Sequence, residues 1–115
     1  MGGMLPPAAL GVVRTVVSLL VDGRHEELET LTEGRRLSAA RTERAVREYG
    51  GDLISPPDEA FADADVRESE DGTGYTVAMP LWTAQEGRCR LEVRLTLREV
   101  AEDVWTVQID ALRVP

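Results

Sequence analysis

The sequence contains no lysine and no asparagine, a single cysteine, a single histidine and few aromatic residues. One cysteine excludes an intrachain disulfide. One histidine argues against a typical zinc site and against a histidine-based nucleophilic triad. The chain also has no glycine-rich phosphate loop and no nucleophile motif such as G-x-S-x-G. The sequence therefore predicts no catalytic residues, no metal and no cofactor, and it favours a non-enzymatic role.

Long hydrophobic runs and excess positive charge are missing as well. Residues 8–21 are apolar, but Arg14 interrupts them, and they are shorter than the ~20 residues that span a bilayer. The formal net charge of -8 argues against attraction to nucleic acid or to an anionic membrane. Aromatics at 4% leave little for base stacking. We expect a cytoplasmic protein that binds neither nucleic acid nor membranes. The absence of lysine and asparagine favours a GC-rich bacterial genome as its source.

The first half of the chain has helical periodicity. Pro6 and Pro7 suit the start of a helix that continues to about residue 21, with apolar residues at three- and four-residue spacing. A second helix is expected over residues 24–32, with Leu28 and Leu31 facing inward and Gly34 ending it. Ser38 is a good N-cap for a third helix that ends at residues 49–51.

The second half changes to the two-residue period of strands. We predict strands over residues 64–70, 75–82, 88–98 and 105–110, the first of them weakly marked. Pro80 cannot donate to a β-ladder, so its strand lies at an edge or has a bulge there. The predicted fold is a single α+β domain over residues 1–115. About three N-terminal helices pack on a C-terminal antiparallel sheet of about four strands, in a two-layer or cone-shaped arrangement.

Two resemblances extend this interpretation. The stretch VVSLLVDGRHEEL at 16–28 resembles the opening helix pair of the ketosteroid-isomerase-like, or nuclear-transport-factor-like, superfamily, which implies a cone-shaped α+β fold. The chain is also similar to a family of small, uncharacterised bacterial proteins. That similarity is carried by LS at 37–38, EYGG at 48–51, PPDEAF at 56–61, PLWT at 80–83 and EGR at 86–88. It implies the fold and a prokaryotic source.

The leading functional hypothesis is a protein-interaction domain, with an accessory or immunity-like role. One arginine and eight acids fall within residues 58–87, so negative charge is concentrated there. Four arginines at even positions of the third strand form a stripe about 30 Å long at ~3.4 Å per residue. The stripe is either a partner-binding face or a solvent face neutralised by cross-strand acids. The candidate residues are Arg88, Arg90, Arg94, Arg98, Trp82, Asp58, Glu59, Asp63 and Asp65.

The alternative is a small-molecule-binding protein, or an isomerase- or dehydratase-like enzyme, with a pocket between the first helix and the sheet. Tyr75, Met79 and Trp105 would line that pocket beside Trp82, although ordinary core packing explains the same aromatic pattern. Homodimerisation through the sheet is open under both hypotheses, because Pro80 only partly protects an edge.

Overall fold

The computed structural model describes residues 5–33 and 36–115, which form four helices and one five-stranded antiparallel sheet. This confirms the predicted α+β class. The elements in chain order are α1 (Pro7–Val21), α2 (His25–Thr32), α3 (Ala39–Tyr49), β1 (Leu53–Ile54), α4 (Asp58–Ala62), β2 (Asp65–Glu68), β3 (Gly74–Thr83), β4 (Gly87–Ala101) and β5 (Val104–Arg113).

Helix α1 is the apolar layer over the sheet, as predicted. Pro7 occupies its first turn, where a missing N–H costs nothing. Its buried face joins one core with the apolar side of β3, β4 and β5 and consists of Ala9, Val13, Val16, Val17 and Leu20. The helix ends at Val21, and the chain turns away at Gly23, whose φ of 72° costs glycine less than other residues. Within the described residues, no helix is long and apolar enough to cross a membrane.

One prediction for α2 is wrong, and one prediction for α3 is confirmed. Leu28 is buried, but Leu31 is 40% exposed, so its predicted inward orientation is wrong. Thr32 takes the buried position four residues after Leu28, and its hydroxyl donates to the Leu28 carbonyl at 3.0 Å. The predicted stop at Gly34 lies outside the described residues. Ser38 caps α3 by accepting from the Arg41 N–H at 3.3 Å.

The sheet has the order β1-β3-β4-β5, and β2 pairs with β3 on the same edge as β1. Pro80 lies between the β3 residues that pair with β2 and those that pair with β1. A register shift between Pro80 and Trp82 places a bulge on the β4 side. Both observations agree with the prediction of an edge or a bulge, because proline lacks the N–H that a ladder requires.

Helix α4 was not among the helices predicted from the sequence. Asp58 and Glu59 lie in its first turn, where carboxylates interact favourably with free backbone N–H groups. Ala60 is buried and attaches the helix to the core. Five residues give too short a pattern for helical periodicity to be seen in the sequence.

The β2–β3 hairpin is organised by Asp71. Its carboxylate accepts from the Thr73 hydroxyl at 2.7 Å, the Thr73 N–H at 3.0 Å and the Ser69 hydroxyl at 2.8 Å. These bonds, first those from Thr73, lower the pKa of Asp71 to about 2, with a smaller contribution from the Arg98 charge. A carboxyl whose pKa falls on folding stabilises the folded state above its unfolded pKa of 3.8, and that stabilisation is lost as the pH falls towards 2.

We expect Asp71→Asn to lower the melting temperature at pH 7 and to flatten its decrease between pH 4 and pH 2. The measurement is thermal unfolding followed by circular dichroism across that pH range. Glu70→Gln is the control, because it removes a neighbouring exposed carboxylate that makes no hydrogen bond in the described structure. Parallel pH profiles for Asp71→Asn and the unmodified chain would contradict the assignment.

Candidate functional site

The side of the sheet that points away from α1 is rich in arginine, and we call it the outer sheet face. Residues of this face alternate along β2, β4 and β5 with buried core residues, so their side chains point to solvent. Its arginines are Arg67, Arg88, Arg90, Arg94, Arg98 and Arg113, and its acids are Asp65, Glu92 and Asp110. The face is therefore net positive in a chain whose formal net charge is -8.

Most of these arginines form no ion pair in the described structure. Arg94 pairs with Glu92 at 3.4 Å and Arg67 pairs with Asp65 at 3.6 Å. Within the described residues, the other four have no acid oxygen within 4.0 Å of a guanidinium nitrogen; they are Arg88, Arg90, Arg98 and Arg113. The stripe is thus only partly neutralised by its surroundings.

The position of Asp110 explains why the charge of the arginine stripe is only partly neutralised. Asp110 is the extra residue of a β-bulge, because Arg94 pairs with Ala111 and Leu95 pairs with Ile109. Its carboxylate accepts from the Thr96 hydroxyl at 2.5 Å and the Gln108 amide at 2.6 Å, and it lies 3.6 Å from Arg36. Its side chain is only 25% exposed. The acid opposite the stripe pairs with Arg36 and not with an arginine of the stripe. Arg36 was not among the residues predicted from the sequence to belong to this site.

Trp82 lies at the end of the stripe. It pairs with Arg88 across β3 and β4 and is half-buried. A small crevice between α4 and the sheet is lined by Trp82, Arg88 and Asp63, together with Ala60 and Pro80. The structure thus brings together three of the predicted partner-binding residues at one place.

Tyr49 at the end of α3 fixes the backbone of the arginine stripe. Its hydroxyl accepts from the Arg90 N–H at 3.0 Å and donates to the Glu86 carboxylate at 2.7 Å. The bond from Arg90 lowers the pKa of Tyr49, but Glu86, partial desolvation and the nearby Cys89 together raise it further. The pKa therefore lies above the ordinary phenol value, and the hydroxyl stays protonated and able to donate at neutral pH.

The predicted acidic patch is divided by the fold. Asp58 pairs with Arg14 of α1 at 3.0 Å, and Arg14 also lies 4.4 Å from the centre of the Phe61 ring. Asp65 belongs to the outer sheet face, where Arg67 neutralises it. Glu59 and Asp63 remain exposed on and beside α4. Two of the four predicted carboxylates are therefore engaged within the molecule.

The three predicted pocket residues lie in different surroundings. Met79 is 0% exposed and packs inside the core. Tyr75 packs against Trp105, with ring centroids 5.9 Å apart. Trp105 also lines a cleft beside β5, whose other wall is the end of α2. The small-molecule hypothesis stays a prediction.

Residues with metal-binding or nucleophilic chemistry are dispersed. Among the described residues, no group of three or more histidine, cysteine or acidic side chains is arranged to hold a metal. Cys89 is buried in the core, as its strand position indicated. His25, the single histidine, is half-buried.

Comparison with known proteins places most of the sequence in one family. Residues 17–115 match a family model described as a domain of unknown function, DUF7668. The chain belongs to this family. Membership of DUF7668 confirms the predicted similarity to a family of small uncharacterised domains. No curated protein and no solved structure matches the chain, so the resemblance to the ketosteroid-isomerase-like superfamily stays a prediction.

Proposed function

We propose that the protein is a non-enzymatic interaction domain that binds an acidic segment of a partner protein on its outer sheet face. The observation that carries the proposal is a net positive, solvent-exposed sheet face on a strongly acidic chain. An accessory or immunity-like role in a bacterial cytoplasm is the most concrete form of this function.

The charge asymmetry favours one orientation of approach. Since the outer sheet face is net positive, the rest of the molecule carries the whole negative excess. An acidic partner is repelled by the helical side and attracted by the sheet side. Such asymmetry increases association rates and suppresses wrong orientations more than it increases final affinity. Binding should therefore weaken as salt is added, because the Debye length shortens from about 30 Å at 0.01 M to about 10 Å at 0.1 M.

The chemistry at the end of the stripe suits carboxylate recognition. A guanidinium presents two parallel N–H donors to a carboxylate, and Arg88 and Arg90 have this capacity unused within the described residues. Trp82 beside Arg88 supplies a rigid aromatic surface. Tryptophan and arginine are the residue types most enriched among those that dominate binding energy at interfaces. Arg88, Arg90 and Trp82 are the residues we expect to contribute most.

The test compares two double charge reversals that change the net charge equally. Arg88→Glu with Arg90→Glu alters the outer sheet face, whereas Arg41→Glu with Arg44→Glu alters exposed positions of α3. The probe is fluorescein-labelled deca-glutamate, followed by fluorescence anisotropy at 20 mM and 300 mM salt, about a fourfold change in Debye length. We expect the first pair to lower the affinity at least about tenfold, equivalent to about 1.4 kcal/mol, and the second to lower it much less.

Equal losses for the two pairs would mean that only net charge matters and would contradict a specific face. Absence of deca-glutamate binding by the unmodified chain at low salt would also contradict the proposal. A single-stranded oligonucleotide of equal charge is included in the same assay. Tighter binding of the oligonucleotide than of the peptide would assign the face to nucleic acid instead of an acidic protein segment.

A further inference from the structure

Strand β5 forms a long edge of the sheet, and in the described structure the side of β5 that faces away from β4 is unpaired. It pairs with β4 along one side from Val104 to Arg113. Among the described residues, no backbone hydrogen bond reaches its other side. Ten residues of strand leave a row of N–H and C=O groups available for pairing with another strand.

A cleft of about 780 Å³ follows this edge. Four consecutive residues of β5, from Trp105 to Gln108, contribute to its lining. Consecutive strand residues point to opposite faces of a sheet, so a cleft lined by all four passes around the strand edge, and on the outer sheet face it continues to Thr96 and Arg98 of β4. The far wall is formed by Leu31, Thr32 and Glu33 at the end of α2 and by Arg36 beyond them. The cleft is a groove between a strand edge and a helix.

We infer that this groove binds an extended peptide segment of a partner protein, which adds to the sheet as a strand antiparallel or parallel to β5. Backbone hydrogen bonds supply affinity in this mode, and alternate side chains supply specificity. The six residues from Trp105 to Asp110 that the groove follows correspond to about 20 Å, the usual length of a strand. This inference goes beyond the proposed function, because it concerns the sheet edge, although the groove shares Arg98 with the outer sheet face.

The lining indicates which side chains the segment should have. On the core side, the groove offers Trp105, Val107 and the 40% exposed Leu31. On the outer side, it offers Thr106, Gln108 and Arg98, and Arg98 has no acid oxygen within 4.0 Å in the described structure. An extended segment that alternates apolar and acidic residues complements both sides. Of the two carboxylates in the lining, Asp110 is compensated by Arg36, and Glu33 is also engaged within the molecule.

A single extended segment suits the groove better than a second folded copy of this chain. A second copy would bring its own α2, which contacts its own β5, to the shared strand edge. The opposite sheet edge consists of β1 and β2, with two and four residues, and α4 lies between them in the chain. A single extended segment, free on its far side, enters the groove without either obstacle.

The test uses the acetylated and amidated hexapeptide VEVEVE and an NMR titration of the full-length, ¹⁵N-labelled chain. We expect chemical-shift changes along β5 and at Leu31, with slower amide hydrogen exchange on β5. Two N-methylated versions of the peptide, one methylated at the valines and the other at the glutamates, then measure how much backbone hydrogen bonds contribute to binding. Because alternate N–H groups of a strand point to opposite edges, we expect one of them to lose binding at least tenfold and the other to retain it.

Side-chain variants provide a matched comparison. Leu31→Glu is expected to weaken the peptide at least tenfold, whereas Ile54→Glu, at an aliphatic side chain of similar exposure on the other edge, is expected to change it less than twofold. The double variant at Arg88 and Arg90 should bind VEVEVE as the unmodified chain does, which separates this groove from the outer sheet face. No shift changes on β5 at millimolar peptide, or equal binding of both methylated peptides, would overturn the inference.

Discussion

Val16→Asp is expected to leave the chain unfolded at room temperature. Val16 is 0% exposed and lies in the face of α1 that packs on the sheet. An aspartate there would be a buried carboxylate without a partner, which costs several kcal/mol in addition to the lost apolar contacts. The total is comparable with the whole free energy of unfolding of a small domain, about 5–15 kcal/mol.

Urea unfolding followed by tryptophan fluorescence and far-UV circular dichroism measures the effect. Thr15→Asp is the control, because Thr15 is the exposed neighbour in the same helix. It loses only a hydroxyl bond to the Gly11 carbonyl, and we expect it to fold cooperatively. If Val16→Asp unfolded with the midpoint of Thr15→Asp, α1 could not lie across the sheet as described.

Gly74→Ala is expected to destabilise the protein by about 2–3 kcal/mol, at the upper end of what overpacking costs. A Cβ added to Gly74 would lie 2.1 Å from the Leu97 carbonyl oxygen and 3.2 Å from the Arg98 Cα. Both atoms belong to the backbone of β4, so no side-chain rotation relieves the contact. The first residue of β3 would have to separate from its partner strand, which opens the end of the β3–β4 pair.

Gly11→Ala is the matched control for this substitution. A Cβ added there has no heavy atom within 4 Å, and the position lies inside α1. Alanine is favoured over glycine in a helix interior, so we expect a gain of about 0.5–1 kcal/mol. Thermal and urea unfolding of both variants give the comparison. A Gly74→Ala protein as stable as the unmodified chain would contradict the close approach of β3 to β4.

The strands and helices with strong periodicity could be predicted from the sequence. In β4, Cys89, Leu91, Val93, Leu95 and Leu97 alternate with polar residues, and all five are buried. The same pattern placed the four arginines of β4 on the outer sheet face. In α1, the valine and leucine spacing predicted a helix covering the sheet. Both patterns are local, because the period of the apolar residues by itself determines which side is buried.

Other features depend on contacts between distant parts of the chain. The bulge at Asp110 depends on how β5 pairs with β4, and it directs the carboxylate to Arg36, 74 positions earlier in the numbering. Thr32 replaces Leu31 in the buried position because of where α2 ends against the sheet. Helix α4 is one short turn attached by Ala60 and by Arg14. No local pattern in the sequence encodes these arrangements.

The unequal edges of the sheet have a consequence for stoichiometry. On the β3 side, the four residues of β2 and the two of β1 meet at Pro80, which has no N–H to offer. Strand β5 is continuous over ten residues on the opposite side. When a sheet can be extended at one edge only, no further strand can be added after the first one has paired. Association by strand pairing should therefore yield discrete one-to-one complexes, and open-ended fibrils are disfavoured by the architecture itself.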